Sequence, residues 1–148
     1  MHLAEWPQIS DVRLSDEEQR CWGAFGSMRD KVMKALEDQR SRGVIGSPLE
    51  AQVTLVASEK GLEQLLDAYR DTLAEAFIVS EVCVAKVEGA GAVKSVAAES
   101  SIPGLASVKV ERAPGAKCQR CWKYRPSVGS HLEHPQLCAR CISVVKTQ

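Results

Sequence analysis

The sequence has no run of about 18 apolar residues, the length that a membrane-spanning helix requires. It begins with residues 1–7, Met-His-Leu-Ala-Glu-Trp-Pro, which contain neither a basic segment nor the apolar segment of a secretory signal. Aromatic residues are only 5% of the chain, whereas charged residues are 26%, as in ordinary globular proteins. These features predict a cytoplasmic protein with no membrane partner.

Common catalytic motifs are absent as well. There is no Gly-x-x-x-x-Gly-Lys-Ser/Thr loop and no Gly-x-Gly-x-x-Gly fingerprint. The Gly-x-Ser-x-Gly turn of serine hydrolases is also missing. The three histidines, His2, His131 and His134, form no recognisable group with a nucleophile. The sequence therefore predicts a chain without catalytic activity of its own.

The strongest positive signal is a pair of Cys-x-x-Cys motifs. Cys118 and Cys121 form the first pair, Cys138 and Cys141 form the second, and sixteen residues separate the pairs. This spacing is typical of a zinc site. Zn²⁺ binds four ligands at the corners of a tetrahedron, and four protein ligands leave no open position for water or substrate. We therefore predict one structural zinc ion bound by these four cysteines.

Two alternatives to this zinc site remain open. The four cysteines could form two disulfides, but Cys21 and Cys83 stand apart in apolar patterns and no secretory segment is evident, which disfavours an oxidising environment. His131 or His134, which lie between the pairs, could replace one cysteine ligand. Four cysteines already complete the coordination, so polar loop positions are the simpler interpretation of both histidines.

Basic charge is concentrated at the C-terminal end. From residue 112 onward there are seven Lys and Arg but one acid, whereas residues 1–111 hold twelve Lys and Arg against eighteen Asp and Glu. The formal net charge of 0 therefore conceals a split of about +6 against −6. Part of the basic charge balances the thiolates, and the remainder indicates a module that binds a polyanion. The candidate contacts beside the cysteines are Lys117, Arg120, Trp122, Lys123, Arg125 and Arg140.

RNA-binding proteins recognise unpaired bases by stacking them on aromatic or Arg side chains. Trp122, beside Arg120 and Arg125, could supply such a surface. Packing of the indole beneath the zinc knuckle is the alternative for Trp122. Charge compensation and ordinary solvation are the alternative for the basic residues.

The N-terminal half predicts a long amphipathic helix. Ser15 and Glu18 form a capping box, and Gly43 is a natural stop, so we predict a helix over residues 16–42. Its apolar stripe is Cys21, Phe25, Met28, Val32 and Leu36. Gly23 and Gly26 suggest that another helix approaches closely.

The following segment predicts a small α/β layer. We expect a strand at 52–57, a helix capped by Ser58, strands at 77–84 and 105–112, and a loop over 87–104. The inner face of that helix is predicted to be Leu62, Leu65, Leu66, Tyr69 and Leu73. The fold class is thus α+β: a long N-terminal helix packed on a strand-helix-strand-strand layer, followed by a four-Cys zinc ribbon or knuckle. The predicted units are residues 1–44, 45–113 and 114–148.

Residues 115–122 and 134–141 resemble the C-terminal zinc module of bacterial isoleucyl-tRNA synthetases. Residues 2–7, 29–51 and 77–80 are similar to segments that precede this module in the same family. The resemblance covers nearly the whole chain in the same order. It identifies residues 1–44 with the end of the family's helical anticodon-binding domain.

The resemblance implies a function in binding the anticodon arm of isoleucine tRNA. The family's His-Ile-Gly-His and Lys-Met-Ser-Lys-Ser signatures are absent, so the chain is expected to be inactive as a ligase. It implies a C-terminal piece of such an enzyme, with the N-terminal domains as partners and a monomeric state. A free-standing relative is the alternative.

Two other classes share some of these features. DNA-repair glycosylases carry a zinc finger in which the cysteine spacing is nearly the same. Those enzymes are expected to open with Pro-Glu, whereas this sequence opens with Met1-His2-Leu3. A stand-alone zinc ribbon that binds nucleic acid or protein, or that acts as a redox switch, is the other possibility. A redox switch would require exposed, readily oxidised thiolates.

Overall fold

The computed structural model describes residues 13–86 and 104–147. The helices are α1 (Asp16–Ser41), α2 (Lys60–Ala68), α3 (Arg70–Ala76) and α4 (Ala139–Lys146), and a 3₁₀ turn lies at Pro48–Glu50. The strands are β1 (Ala51–Ala57), β2 (Glu81–Lys86), β3 (Leu105–Arg112), β4 (Ala116–Lys117) and β5 (Tyr124–Arg125). The α+β class is confirmed. The predicted loop over 87–104 lies, except for its last residue, outside the described residues, as does most of the N-terminal segment.

Both predicted ends of α1 are confirmed. The Ser15 hydroxyl accepts a hydrogen bond from the amide of Glu18, and the Glu18 carboxylate accepts one from the amide of Ser15. These two hydrogen bonds make the capping box. At the C-terminal end, the amide of Val44 donates to the carbonyl of Gln39 while Gly43 adopts φ +72°. This Schellman arrangement needs a residue that tolerates the left-handed region, which explains the glycine.

Among residues 13–86 and 104–147, only the C-terminal two-thirds of α1 packs on the rest of the structure. Met28, Val32 and Leu36 are buried, but residues 13–24 are all exposed. Cys21 is therefore not a core residue, contrary to the predicted stripe. The expected close approach of another helix at Gly23 and Gly26 is not observed either, because a Cβ at either position would meet nothing within 4 Å in the part of the chain that the structure describes.

The sheet has three strands in the order β2-β1-β3. Strand β1 is parallel to β2, with Val53 opposite Val82, and antiparallel to β3, with Val53 also opposite Val110. Alternate residues of β1, from Ala51 to Ala57, are buried, so one face of the sheet carries the core. Helices α1, α2 and α3 pack on this face, and the core cluster combines their side chains with those of all three strands.

The segment after β1 differs from its prediction. It forms two short helices that break at Tyr69, rather than one helix. Glu59, not Ser58, occupies the N-cap position of α2, and its side chain makes no capping hydrogen bond. The indicated inner face is only partly correct, because Leu66 and Leu73 are buried whereas Leu65 and Tyr69 are exposed. The spacing of apolar residues in the sequence continues through Tyr69, so it gave no sign that the helix breaks there.

Strand β2 begins at Glu81 and not at Phe77. Residues 77–80 form a tight turn in which Ile78 adopts φ +58°, a conformation that β-branched residues rarely occupy. The turn places Phe77 in the core, stacked on Phe25 at 5.8 Å between ring centroids, and exposes Ile78. It also buries Ser80 completely, at the base of the zinc module.

The C-terminal part has its own small core, formed by Cys118, Cys138 and Cys141 with partly buried Cys121, Val128 and Leu137 around them. Within residues 13–86 and 104–147, no helix is both long and apolar enough to cross a membrane.

Candidate metal centre

Two structural elements bring the four cysteines together. Cys118 directly follows β4, and the chain turns back so that the Trp122 amide donates to the Cys118 carbonyl at 2.8 Å. Cys138 is the N-cap residue of α4 and Cys141 lies in its first turn. The turn after β4 and the N-terminus of α4 therefore each direct two sulfur atoms toward the same position.

The sulfur positions fit a tetrahedral metal ion. The four Sγ atoms all lie within 4.8 Å of one another, and those of Cys121 and Cys138 are 3.8 Å apart. A tetrahedron with metal–sulfur bonds of about 2.3 Å has edges of about 3.8 Å. Cys118, Cys138 and Cys141 are buried and Cys121 is half-buried. The cluster is thus compatible with one structural zinc ion, closed to solvent on most sides.

Backbone amides already stabilise negative charge at this cluster. Burial opposes ionisation of Cys118, yet the amides of Cys121, Cys138 and Arg120 lower the pKa of its thiol to about 6. Burial and the neighbouring thiols raise the pKa of Cys121 to about 12. One thiolate therefore forms readily, whereas further negative charge is opposed until a cation joins the cluster. A Zn²⁺ ion supplies that cation, which agrees with the donor set.

Comparisons with known proteins agree with this geometry. The zinc finger found in FPG and IleRS matches residues 115–144. The isoleucine–tRNA ligase of Fervidobacterium nodosum is 37% identical over 147 residues, which are 99% of this chain and 15% of that protein. The enzyme of Natranaerobius thermophilus is 37% identical over 148 residues, 99% of this chain and 16% of that protein. Over nearly its whole length, this chain is similar to one region of isoleucine–tRNA ligases.

It corresponds to the C-terminal, zinc-bearing region of these ligases. The isoleucine–tRNA ligase of Thermotoga petrophila, 37% identical over 142 residues, matches 95% of the chain and 14% of its own length. The chain thus spans about 15% of the length of the curated relatives that it matches. The similarity to these ligases reaches well beyond the finger, since it also covers helix α1 and the three-stranded sheet.

Trp122 has an unusual backbone in this ligase-type finger. It adopts φ +63°, in the left-handed region that favours glycine, and its side chain is 59% exposed. The indole is therefore not packed beneath the knuckle. The Lys117 ammonium lies 5.4 Å from the ring centroid, within cation–π range.

The other five predicted contacts have different surroundings. Lys117 and Arg120 are exposed, and a guanidinium nitrogen of Arg120 lies 3.8 Å from the Cys141 sulfur, where it offsets thiolate charge. Arg125 is half-buried. Lys123 is buried, and its ammonium is paired with Glu75. A cavity of about 300 Å³ beside the knuckles is lined by Cys121, Lys123, Arg125, Ser127, Cys138 and Arg140.

Gly115 sets how closely the two strands of the finger approach. It adopts φ +88°, and a Cβ there would lie 2.3 Å from the carbonyl carbon of Arg125. No side chain fits at that distance, so the β4–β5 pair requires glycine. The adjoining Ala113 is buried, and its amide donates to the Glu50 carbonyl at 2.7 Å, so the chain is fixed to the sheet where it enters the finger.

Sequence reasoning missed the residues that join the finger to the sheet. Glu75 on α3 and Ser80 before β2 contact Lys123 and Tyr124, which are 44 and more positions away. Arg112 also lies over the Tyr124 ring, 5.9 Å from its centroid. No local pattern marks such contacts, because Glu75 has the same sequence signature as any exposed helix acid.

The predicted polar histidines, His131 and His134, stack on each other with 5.8 Å between ring centroids, and neither is among the grouped metal ligands.

Proposed function

We propose that this chain contacts the anticodon arm of isoleucine tRNA through its zinc module, as part of the RNA-binding surface of an isoleucine–tRNA ligase. Its partners are then the tRNA and the other domains of such an enzyme. Cys118, Cys121, Cys138 and Cys141 hold one zinc ion, which keeps the module rigid. The metal has no chemical step, since four thiolates leave it no open position.

The observation that carries this proposal is the exposed Lys117–Trp122 pair. An indole in a strained, left-handed conformation is not explained by packing, since most of its surface faces solvent. Exposed aromatic rings are stacking platforms for unpaired bases, and a neighbouring ammonium suits the adjacent phosphate. The pair therefore offers both parts of a single-stranded RNA contact on a metal-fixed turn.

Charge supports the same surface. The net charge of about +6 beyond residue 111 contrasts with about −6 in the rest of the chain. Zinc with four thiolates has a formal charge of about −2, so a clear positive excess remains after compensation. A polyanion would approach the finger in preference to the acidic α/β layer.

Titration of isoleucine tRNA at several salt concentrations tests the proposal. If about four phosphates are neutralised, log affinity falls with log salt at a slope of roughly −3, taking about −0.7 for each contact. Lys117→Ala should flatten that slope by about one contact. A deletion of residues 114–148 that binds the tRNA as well as the full chain would end the proposal. Zinc-dependent capture of a protein, without any RNA binding, would favour an interaction module instead.

A further inference from the structure

The zinc module rests on the α/β layer through a charged contact. The Lys123 ammonium lies 3.0 Å from a carboxylate oxygen of Glu75, and only 10% of the lysine side chain is exposed. Arg140 reaches the same oxygen at 3.5 Å, but its side chain is 70% exposed. Buried ammonium groups require a partner, since an unpaired one loses its hydration without compensation. Lys123 therefore depends on Glu75 far more than Arg140 does.

A second contact lies one residue further along the chain. The hydroxyl of Ser80 donates to the carbonyl of Leu49 and accepts the amide of Tyr124 at 2.6 Å. Ser80 is completely buried, so neither of its partners has an easy substitute in water. One small side chain thus links the turn before β2, the 3₁₀ turn before β1 and the start of β5.

We infer that Glu75 and Ser80 are positioning residues that together fix the zinc module on the sheet, and that Lys123 serves this docking and takes no RNA phosphate. The two contacts hold adjacent residues, Lys123 and Tyr124, from two different elements of the layer. Two fixed points on neighbouring residues restrict rotation of β5, and with it the Lys117–Trp122 surface. The RNA part of this inference rests on the proposed function.

The Glu75→Gln variant distinguishes a positioning role for Glu75 from simple repulsion of RNA. If Glu75 merely repels RNA, its removal strengthens tRNA binding and steepens the salt slope. If Glu75 positions the module, the variant weakens binding by roughly threefold, the scale of a partly exposed ion pair. Glu133→Gln is the matched control, because it removes the same charge from the exposed Glu133–Lys146 pair within the module.

A second set of measurements must distinguish loss of docking from general damage to the finger. The absorption spectrum of the Co²⁺-loaded full chain reports the four-thiolate geometry, and it should be unchanged in Glu75→Gln. Amide hydrogen exchange of Tyr124 reports docking directly, since its amide donates to Ser80. That exchange should become roughly tenfold faster in Ser80→Ala and faster in Glu75→Gln. In Ser130→Ala, which removes an exposed hydroxyl contact, it should not change.

Lys123→Met tests the remaining claim. We expect it to weaken tRNA binding as Glu75→Gln does, with no further loss in the double variant and no change in salt slope. A slope flattened by about 0.7, as for a true phosphate contact, would overturn the assignment of Lys123. Tighter tRNA binding by Glu75→Gln, or unaltered Tyr124 exchange in both Ser80→Ala and Glu75→Gln, would overturn the positioning role. A wild-type chain that binds no tRNA would refute the proposed function and the RNA claim, while Tyr124 exchange would still decide the docking claim.

Discussion

The ammonium of Lys117 lies over the ring of Trp122, 5.4 Å from its centroid, beside the turn that carries Cys118 and Cys121. Cation–π contacts at exposed sites contribute only about 0.5–1 kcal/mol, less than a left-handed conformation costs a non-glycine residue. The contact alone therefore does not account for Trp122. The base-stacking role proposed for Trp122 would account for the exposed indole.

Replacement of Trp122 by Ala should weaken binding of isoleucine tRNA by about 1–3 kcal/mol, the stacking contribution of one base. Zinc content should stay at one ion per chain, since the ring lies outside the metal core. Fluorescence titration and metal analysis of the same sample measure both. Trp22→Ala is a suitable control, because Trp22 is similarly exposed on α1. Equal losses in the two variants would contradict a specific stacking role.

Trp122→Gly should give a more stable finger than Trp122→Ala. Glycine enters the left-handed region without the penalty of about 1–2 kcal/mol that other residues meet there. Thermal unfolding of the zinc-loaded variants should show the difference. Equal melting temperatures would mean that the turn relaxes away from φ +63° once the indole is gone.

Gly115→Ala should destabilise the finger by several kcal/mol. The new methyl group would lie 2.3 Å from the backbone carbon of Arg125, so β4 and β5 would have to separate. Gly129→Ala is the matched control: Gly129 has φ +94° but open space around its Cβ position, so only the backbone penalty of about 1–2 kcal/mol applies. Denaturant unfolding of both variants separates steric overlap from backbone strain. Similar losses would show that overlap is absorbed elsewhere.

Cys138→Ser should abolish stable zinc binding, since the closed site loses one of four ligands. Metal analysis after dialysis should fall from one zinc per chain to far below it. Cys21→Ser should retain full occupancy, because Cys21 is exposed on α1, outside the cluster. Full occupancy in Cys138→Ser would mean that another residue, such as His131 or His134, completes the site.

Docking of the finger should weaken in acid. Burial raises the pKa of Glu75, but the hydrogen bond and charge of Lys123, aided by Arg140, leave it below the ordinary 4.5. A lowered folded-state pKa adds stability above pH 4.5, and that stability is lost as pH falls through the lowered value. The carboxylate is 49% exposed, so we expect less than about 1 kcal/mol. An NMR titration of the Glu75 carboxyl carbon, with Glu133 as reference, measures it; a Glu75 midpoint at or above 4.5 would contradict the prediction.

Features set by neighbouring residues were predictable from the sequence. The capping box of Ser15 and Glu18, the stop at Gly43 and the strand at 105–112 each depend on local chemistry, and each is confirmed. The cysteine spacing also predicted the cluster, because a metal ion requires a fixed geometry. The break at Tyr69 and the turn at Ile78 were missed because tertiary packing overrode a continuous local pattern.

Contacts between distant segments were beyond such reasoning. The Glu75–Lys123 pair joins residues 48 positions apart, and neither residue differs in type or spacing from an ordinary surface charge. The exposed first turns of α1 were missed for the same reason. Amphipathic spacing shows which face of a helix is apolar, but not how much of its length has a neighbour.

The central position of β1 has a consequence for synthesis on the ribosome. Its antiparallel neighbour β3 is made about fifty residues later, and α1 packs largely against β3. Until residue 112 has left the exit tunnel, Met28, Val32 and Leu36 have no finished surface to cover them. An incomplete chain therefore exposes apolar helix and an unpaired strand edge together, the combination that promotes aggregation.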